Sequence, residues 1–148
     1  MEWFFKTEGG WQNTIIRVSL GGVMFAHGAL KLGSVSDTLA AFAQNFHVPA
    51  ALAVLVIAAE SLGALGLIAG FATRFCAFGI FCDMLGAIFI VHWHNGFFMN
   101  WFGKQQGEGF EYHILAIGMA LALMISGGGR LSLDRLIAQK LYRPGIRL

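Results

Sequence analysis

The sequence predicts an all-α integral membrane protein, a four-helix bundle, on three observations. Hydrophobic residues make up 57% of the 148 positions and charged residues only 12%, against about 25% charged in soluble domains. The apolar runs are long and continuous, without the alternation of period two that indicates strands. Four of these runs approach the roughly 20 residues that a membrane-spanning helix requires. A soluble domain of this size buries only about 70% of its surface. It could not bury this much apolar area, so we expect lipid to solvate the apolar surface that stays exposed.

The four spanning helices are expected to form a single transmembrane domain over residues 1–148. They are predicted at residues 14–32, 50–70, 75–93 and 110–127. The second run is interrupted only by Glu60, whereas the fourth reaches a full span only when flanking residues are included. The stretch 33–49 is expected to lie along the membrane surface. Residues 95–109, rich in Gly, Phe, Trp and Asn, are typical of an interfacial or re-entrant loop.

Basic residues predict the orientation of the chain. They concentrate in the tail 130–148, at Arg130, Arg135, Lys140, Arg143 and Arg147, and recur at Lys6 and Arg74. By the positive-inside rule the N-terminus, the turn between helices 2 and 3, and the C-terminus face the cytoplasm. The tail also carries apolar residues at helical spacing, which predicts a C-terminal amphipathic surface helix: Leu133, Leu136, Ile137 and Leu141. A formal charge of +2 is too small to indicate a nucleic-acid partner.

One internal similarity is visible between residues 20–27 and residues 85–92, each of which ends in histidine. The first and third predicted helices run in the same direction, so the similarity suggests two helical hairpins related by a parallel duplication. That hypothesis places His27 and His92 at the same depth in the membrane.

Ionisable residues inside the predicted spans need a separate explanation. A charge at the bilayer centre costs about 2.5–3.5 kcal/mol even on a lenient scale. We therefore expect Glu60 and Asp83 to be paired, protonated or turned toward a wet cavity. The alternative for Lys31 and His94 is snorkelling to lipid headgroups.

Helical periodicity places these groups on faces. Arg17, His27 and Lys31 share one sector of the first helix, which we expect to face the bundle interior. On the third helix, Asp83 and His94 share a face, while His92 lies about 180° from Asp83. Both faces cannot point inward on a regular helix, so which one does stays open at this point.

Short motifs along most of the chain resemble the DoxX family of small four-helix bacterial membrane proteins. The resemblance runs from about Arg17 to Asp134 and favours His92 as the inward residue of the third helix. Its elements are Arg17, His27-Gly28, Lys31-Leu32, Glu60 with Gly63, Gly70-Phe71-x-Thr73-Arg74, Val91-His92, Asn95-Gly96-Phe97-Phe98, Glu111-Tyr112 and Gly129-Arg130-Leu131-Ser132-Leu133-Asp134.

The resemblance implies a multi-pass subunit of the bacterial cytoplasmic (inner) membrane, linked to quinone-dependent oxidation. Members of that family are tied to respiratory, redox-stress and accessory roles. Their chemistry is not transferred by fold alone.

Our first hypothesis is a quinone-linked oxidoreductase component, an enzyme activity that the sequence leaves uncertain. Its predicted catalytic residues are His27, Glu60 and His92, which would exchange protons. The predicted substrate-binding residues are Arg17, Lys31, Glu111 and His113. No metal-ligand motif and no electron carrier are evident, so the cofactors considered are a quinone and, as a minor alternative, a haem between His27 and His92.

Two other hypotheses stay open. The chain could be a non-catalytic membrane anchor or assembly subunit for a soluble redox enzyme, with the basic tail and the aromatic loop as docking surfaces. It could also be a small-solute permease, which four helices could form only as an oligomer. The partners expected are the lipid bilayer and a redox protein or further copies of this chain.

Overall fold

A computed structural model describes Thr7 and residues 10–142. This part of the chain contains six α-helices and no strand, which confirms the all-α prediction for it. The helices are α1 Trp11–Gly33, α2 Val35–Phe46, α3 Ala50–Ala69, α4 Thr73–Asn95, α5 Glu111–Ser126 and α6 Leu133–Tyr142. The predicted surface stretch 33–49 thus contains a helix of its own.

Three helices, α1, α3 and α4, are long and apolar enough to cross a membrane. The 20 residues of α3 extend about 30 Å, the thickness of the hydrocarbon core. Their outer faces expose large apolar side chains that lipid can solvate, among them Ile15, Leu30, Leu62, Phe75 and Phe89. The apolar helix α5 has only 16 residues, or about 24 Å of helix.

Helices α1, α3, α4 and α5 pack against one another with antiparallel neighbours. The α1 residues Gly21 and Gly28 lie against Ala64 and Glu60 of α3, so the residue numbers run in opposite directions. Helices α1 and α4 therefore run in the same direction, as the duplication hypothesis requires. The shared apolar core is formed by Leu20, Met24, Ala64, Leu67, Ala77, Ile80, Met84, Ala116, Ala120 and Leu123.

The closest approach between α1 and α3 is at Gly28. A Cβ atom built on Gly28 would lie 2.3 Å from the Glu60 carbonyl oxygen and 2.7 Å from the Ser61 backbone nitrogen. Only a residue without a side chain leaves room for the two backbones to come this close. Gly28 therefore sets the spacing that brings α1 alongside the central part of α3.

Arg17 fixes one end of the bundle, which we call the Arg17 end. Its side chain is buried, and its guanidinium donates hydrogen bonds to the carbonyl oxygens of Gly128 (2.8 Å), Leu67 (2.9 Å), Ile68 and Leu131. These acceptors belong to the end of α3 and to the segment between α5 and α6. A single side chain thus joins three parts of the chain that are far apart in the sequence.

Asp134 completes the Arg17 end. Its carboxylate accepts hydrogen bonds from the backbone N–H groups of Ala72 (2.7 Å) and Thr73 (2.8 Å), where α4 begins. Its own backbone N–H donates to the carbonyl of Gly70, and its charge interacts with that of Arg17. A carboxylate at a helix N-terminus satisfies backbone donors that the helix leaves unpaired.

Two π-helical turns interrupt the long helices, at Ala59–Gly63 in α3 and at Ile88–His92 in α4. Each wide turn accommodates one extra residue and so rotates the following side chains by about 100°. In α3 the Ser61 hydroxyl donates a hydrogen bond to the Ile57 carbonyl (2.5 Å), and such side-chain bonds distort regular helices.

The π turn in α4 corrects the expectation that only one face of this helix can point inward. Nine positions separate Asp83 from His92, which is about 180° on a regular helix. Because the turn Ile88–His92 lies between them, Asp83 is buried and His92 is half-buried at the same time. His94, which shared a face with Asp83 in the prediction, is exposed.

Helix α6 is amphipathic, as predicted, with Leu133, Leu136 and Leu141 exposed and Asp134 buried against the bundle. Lys6, Arg143 and Arg147, which were used to predict the orientation of the chain, lie outside the described residues.

Candidate functional site

An ion pair joins the last turn of α1 to the middle of α3. Lys31 Nζ contacts Glu60 Oε2, and the Glu60 residue is only 6% exposed. Glu60 stands in the π turn Ala59–Gly63, directly beside the close approach at Gly28. Of the three states predicted for Glu60, the structure shows the paired one. A buried carboxylate without a partner would be costly.

Asp83 of α4 is a second carboxyl group near this ion pair. It is 9% exposed and interacts electrostatically with Glu60 and Lys31. Its Oδ2 atom is fully buried and has no hydrogen-bond partner within residues 10–142. Two carboxyl groups therefore share one lysine.

The start of α5 places two polar rings at the opposite end from Arg17, and we call this the His113 end. His113 is 6% exposed, and its Nδ1 atom has no partner in the described part of the chain. The same holds for the buried hydroxyl of the neighbouring Tyr112. Tyr112 interacts electrostatically with Glu60 and Asp83, which connects the rings to the carboxyl groups.

His92 of α4 lies directly against His113, with 4.3 Å between ring centroids. Its Nδ1 is 2.8 Å from the backbone carbonyl of Glu108. Because a carbonyl can only accept a hydrogen bond, Nδ1 carries the proton, and Nε2 of the neutral ring is an acceptor. The Glu108 carbonyl thus selects the Nδ1–H tautomer of His92.

His27 of α1 lies at the rim of this cluster. Its side chain is exposed, so the expectation that His27 faces the bundle interior is wrong; the next residue, Gly28, is the one that faces α3. The ring centroid of His27 is 6.4 Å from that of Tyr112. His27 and His92 contact consecutive residues of α5, Tyr112 and His113. Both histidines therefore lie at the level where α5 begins, which is the relation that the internal similarity suggested.

Glu111 holds the loop of residues 96–110. Its Oε1 atom accepts hydrogen bonds from the Met99 backbone N–H (3.1 Å) and from the Trp101 indole N–H (2.9 Å). Both bonds are internal to the loop and its junction with α5. Glu111 therefore stabilises the loop, and its role in substrate binding stays a prediction.

An aromatic cluster lies next to the two histidines. Trp93 stacks between Phe89 and Phe110, at 5.7 Å and 5.6 Å between ring centroids, and Phe97 meets Phe110 edge to face. Phe110 directly precedes the polar residues at the start of α5. The site therefore combines polar groups with an apolar aromatic wall.

Arg17 is not part of this cluster. Fourteen residues of α1 separate it from Lys31, or about 21 Å along the helix, and its guanidinium is already bonded to four carbonyl groups. The structure thus brings together Lys31, Glu60, His92, His113 and, at the rim, His27, and separates Arg17 from them.

Two residues of the cluster were not assigned a role from the sequence. Helical periodicity gives Asp83 only as one of two alternative inward residues of α4, and Tyr112 belongs only to the Glu111-Tyr112 motif. The sequence feature that could have indicated Tyr112 is its position beside His113 at the start of a predicted helix. A tyrosine hydroxyl that becomes buried there needs a hydrogen-bond partner.

The described residues contain no group of three or more His, Cys, Asp or Glu side chains that could hold a metal ion. A haem between His27 and His92 does not fit the arrangement, because a chain of rings, Tyr112 and His113, connects these two histidines at 4.3–6.4 Å between centroids. A porphyrin would have to displace both rings.

The fold and the enclosed polar cluster define a helical membrane protein with ionisable groups in its interior. The sequence profile of the DoxX family matches residues 13–93, more than half of the chain. The protein therefore belongs to the DoxX family. The matched region contains Lys31, Glu60 and His92 but ends before Tyr112 and His113. No curated protein and no solved structure matches the chain.

Proposed function

We propose that this protein is a quinone-linked oxidoreductase component of the bacterial cytoplasmic membrane, which binds a quinone head group at the His113 end of the bundle. The observation that carries the proposal is the pair of buried, unpartnered polar groups at the start of α5, His113 Nδ1 and the Tyr112 hydroxyl. Buried polar groups are normally satisfied, so an unsatisfied pair favours a ligand with oxygen atoms.

The polar groups of the site match the two states of such a ligand. The Tyr112 hydroxyl can donate a hydrogen bond to a quinone carbonyl, and His92 Nε2 can accept one from a quinol hydroxyl. His92 is held in the required tautomer by its bond to the Glu108 carbonyl. When bound, the quinone supplies the two-electron, two-proton chemistry. The residues of this chain orient it and accept or return its protons.

The apolar part of the ligand has a matching surface. Trp93 and Phe110 stack at the same end of the bundle, 5.6 Å apart between ring centroids. Small-molecule sites are usually lined by aromatic groups with a few polar groups that fix orientation. Lipid-exposed helix faces beside this cluster would solvate an isoprenoid tail.

Electrons would come from or pass to a redox partner that carries a flavin, a haem or an iron–sulfur group, because this chain offers no evident carrier of its own. Such a partner would bind at the His113 end, where the exposed side chains of the loop 96–110 lie.

The proposed topology has four spanning helices with both termini in the cytoplasm. Its support is the antiparallel packing of α5 against α4 and the position of Arg74 and Arg130 at the Arg17 end, as the positive-inside rule requires. The His113 end then faces outward. The test uses Ser36→Cys and Gln139→Cys, each introduced into a chain that lacks Cys76 and Cys82. A thiol-reactive probe should label these two cysteines from opposite sides of intact vesicles.

Quinone retention tests the proposed function. The full chain is purified from native membranes in mild detergent, and the extracted quinone is quantified per protein. We expect bound quinone in the wild type and about tenfold weaker retention in His113→Ala or His92→Ala, the loss of one hydrogen bond. His94→Ala is the matched control, since His94 is exposed on the same helix end. Equal retention in all variants, or none in the wild type, would overturn the proposal.

A second candidate is a non-catalytic anchor for a soluble redox enzyme. The observation in its favour is the exposure of Trp101 (76%) and Phe102 (85%) at the tip of the loop. If Trp101→Ser and Phe102→Ser abolish partner binding while His92→Ala and His113→Ala leave the partner's activity unchanged, the anchor role is the correct one.

A further inference from the structure

We propose that Asp83 holds one exchangeable proton in the middle of the bundle, with the Lys31–Glu60 ion pair as its fixed neighbour. This deepens the proposed function by naming the carboxyl group that stores the proton. It rests on that function only for the use made of the proton. The sequence reasoning had assigned proton exchange to Glu60 instead.

Charge balance is the first argument. Lys31 of α1 contacts the Glu60 carboxyl group of α3, and the buried carboxyl group of Asp83 in α4 interacts electrostatically with both. If both carboxyl groups were ionised, one negative charge would be uncompensated in a region that lipid surrounds, at a cost of several kcal/mol. One bound proton removes that charge without any change in the fold.

Pairing decides which carboxyl group carries the proton. Glu60 Oε2 is in direct contact with Lys31 Nζ, so these two groups form the ion pair. Asp83 has no such contact, and its buried Oδ2 lacks a hydrogen-bond donor within the described chain. The proton therefore belongs on Asp83, where an O–H bond forms at the carboxyl group.

The surroundings of Asp83 offer a path to the His113 end. The groups that interact electrostatically with it are Glu60 on α3, Lys31 on α1 and Tyr112 on α5. The Tyr112 hydroxyl is buried and unpartnered among the residues described, and its ring contacts His27 and His113. Hydroxyl and imidazole groups can relay a proton between the carboxyl group and the membrane surface.

Infrared spectroscopy of the purified full chain, stripped of quinone, tests the inference separately from quinone binding. We expect the carbonyl stretch of a protonated carboxylic acid at neutral pH, shifted in D2O and absent in Asp83→Asn. Asp37→Asn is the matched control, because Asp37 is exposed on α2. If the band is missing in the wild type or persists in Asp83→Asn, the inference is wrong.

Two further measurements use the same preparations. Asparagine has the shape and neutrality of a protonated aspartic acid, so Asp83→Asn should keep the wild-type melting temperature. A large loss of stability would show that Asp83 is ionised and would overturn the inference. Replacing Na⁺ by choline should leave the band unchanged. A band that appears only after Na⁺ is removed would identify a cation site and would also overturn it.

Discussion

Lys31 and Glu60 form an ion pair across the α1–α3 interface, 29 positions apart in the sequence. The pair lies where Gly28 lets the two backbones approach and where α3 widens into a π turn. The close approach of the two backbones and the π turn therefore position Lys31 and Glu60 as much as their mutual attraction does.

Breaking this pair should destabilise the protein more than removing it entirely. Lys31→Met leaves the Glu60 carboxylate buried without its partner, at a cost of about 3 kcal/mol. The double variant Lys31→Met/Glu60→Gln should recover most of that loss. Apparent melting temperatures in detergent measure both, and Lys104→Met is the control because Lys104 is exposed. If the double variant is less stable than Lys31→Met, the buried pair is not the source of the effect.

Gly28→Ala should separate α1 from α3. The added Cβ meets the Glu60 backbone at 2.3 Å, and overpacking of this kind costs about 1–3 kcal/mol. Gly22→Ala on the same helix is the matched control, because a Cβ there has nothing within 4 Å. We expect a lower melting temperature for Gly28→Ala alone. Equal melting temperatures would contradict the close approach.

Asp134→Ala should loosen the start of α4. It removes the acceptor of two backbone N–H groups, and loss of such a helix-terminal bond costs about 1–2 kcal/mol. Hydrogen exchange at Ala72 and Thr73 should become faster, while Asp37→Ala should leave it unchanged. Unaltered protection at these two amides would mean that the carboxylate does not hold the helix start.

Deleting Ile90 tests the π turn in α4. Without the extra residue the helix becomes regular, and His92 keeps its side toward His113. Quinone retention should therefore stay near the wild-type level, as it should in Ile90→Ala, since Ile90 is exposed. Deleting Ile90 and Val91 together should instead turn His92 by about 100° and lower retention to the level of His92→Ala. A single deletion that folds but loses quinone, or a double deletion that folds and retains it fully, would show that the π turn does not set the orientation of His92.

Much of the fold could be predicted from the sequence, because apolar length and continuity alone determine where helices form in lipid. The ranges predicted for the long helices differ from α1, α3 and α4 by only a few residues at most ends. The family resemblance favoured His92 as the inward residue, but that Asp83 and His92 both point inward could not be predicted, because helical periodicity assumes a regular helix and gives no sign of a π turn.

The candidate site was partly predictable for a related reason. Arg17, His27 and Lys31 share an angular sector of α1, and angle alone grouped them into one site. The axial rise of the helix separates Arg17 by about 21 Å from Lys31, and its carbonyl partners come from segments that no local pattern relates. Asp83 and Tyr112 gained their place only when four helices were assembled.

The central claim is that a quinone head group binds at the His113 end. A photoreactive azidoquinone, added to membranes containing the full chain and mapped by mass spectrometry, tests it most directly. We predict labelling of the segments around His92 and His113, suppressed by excess unlabelled quinone and reduced in His113→Ala. Labelling confined to the Arg17 end, or labelling that excess quinone does not suppress, would contradict it.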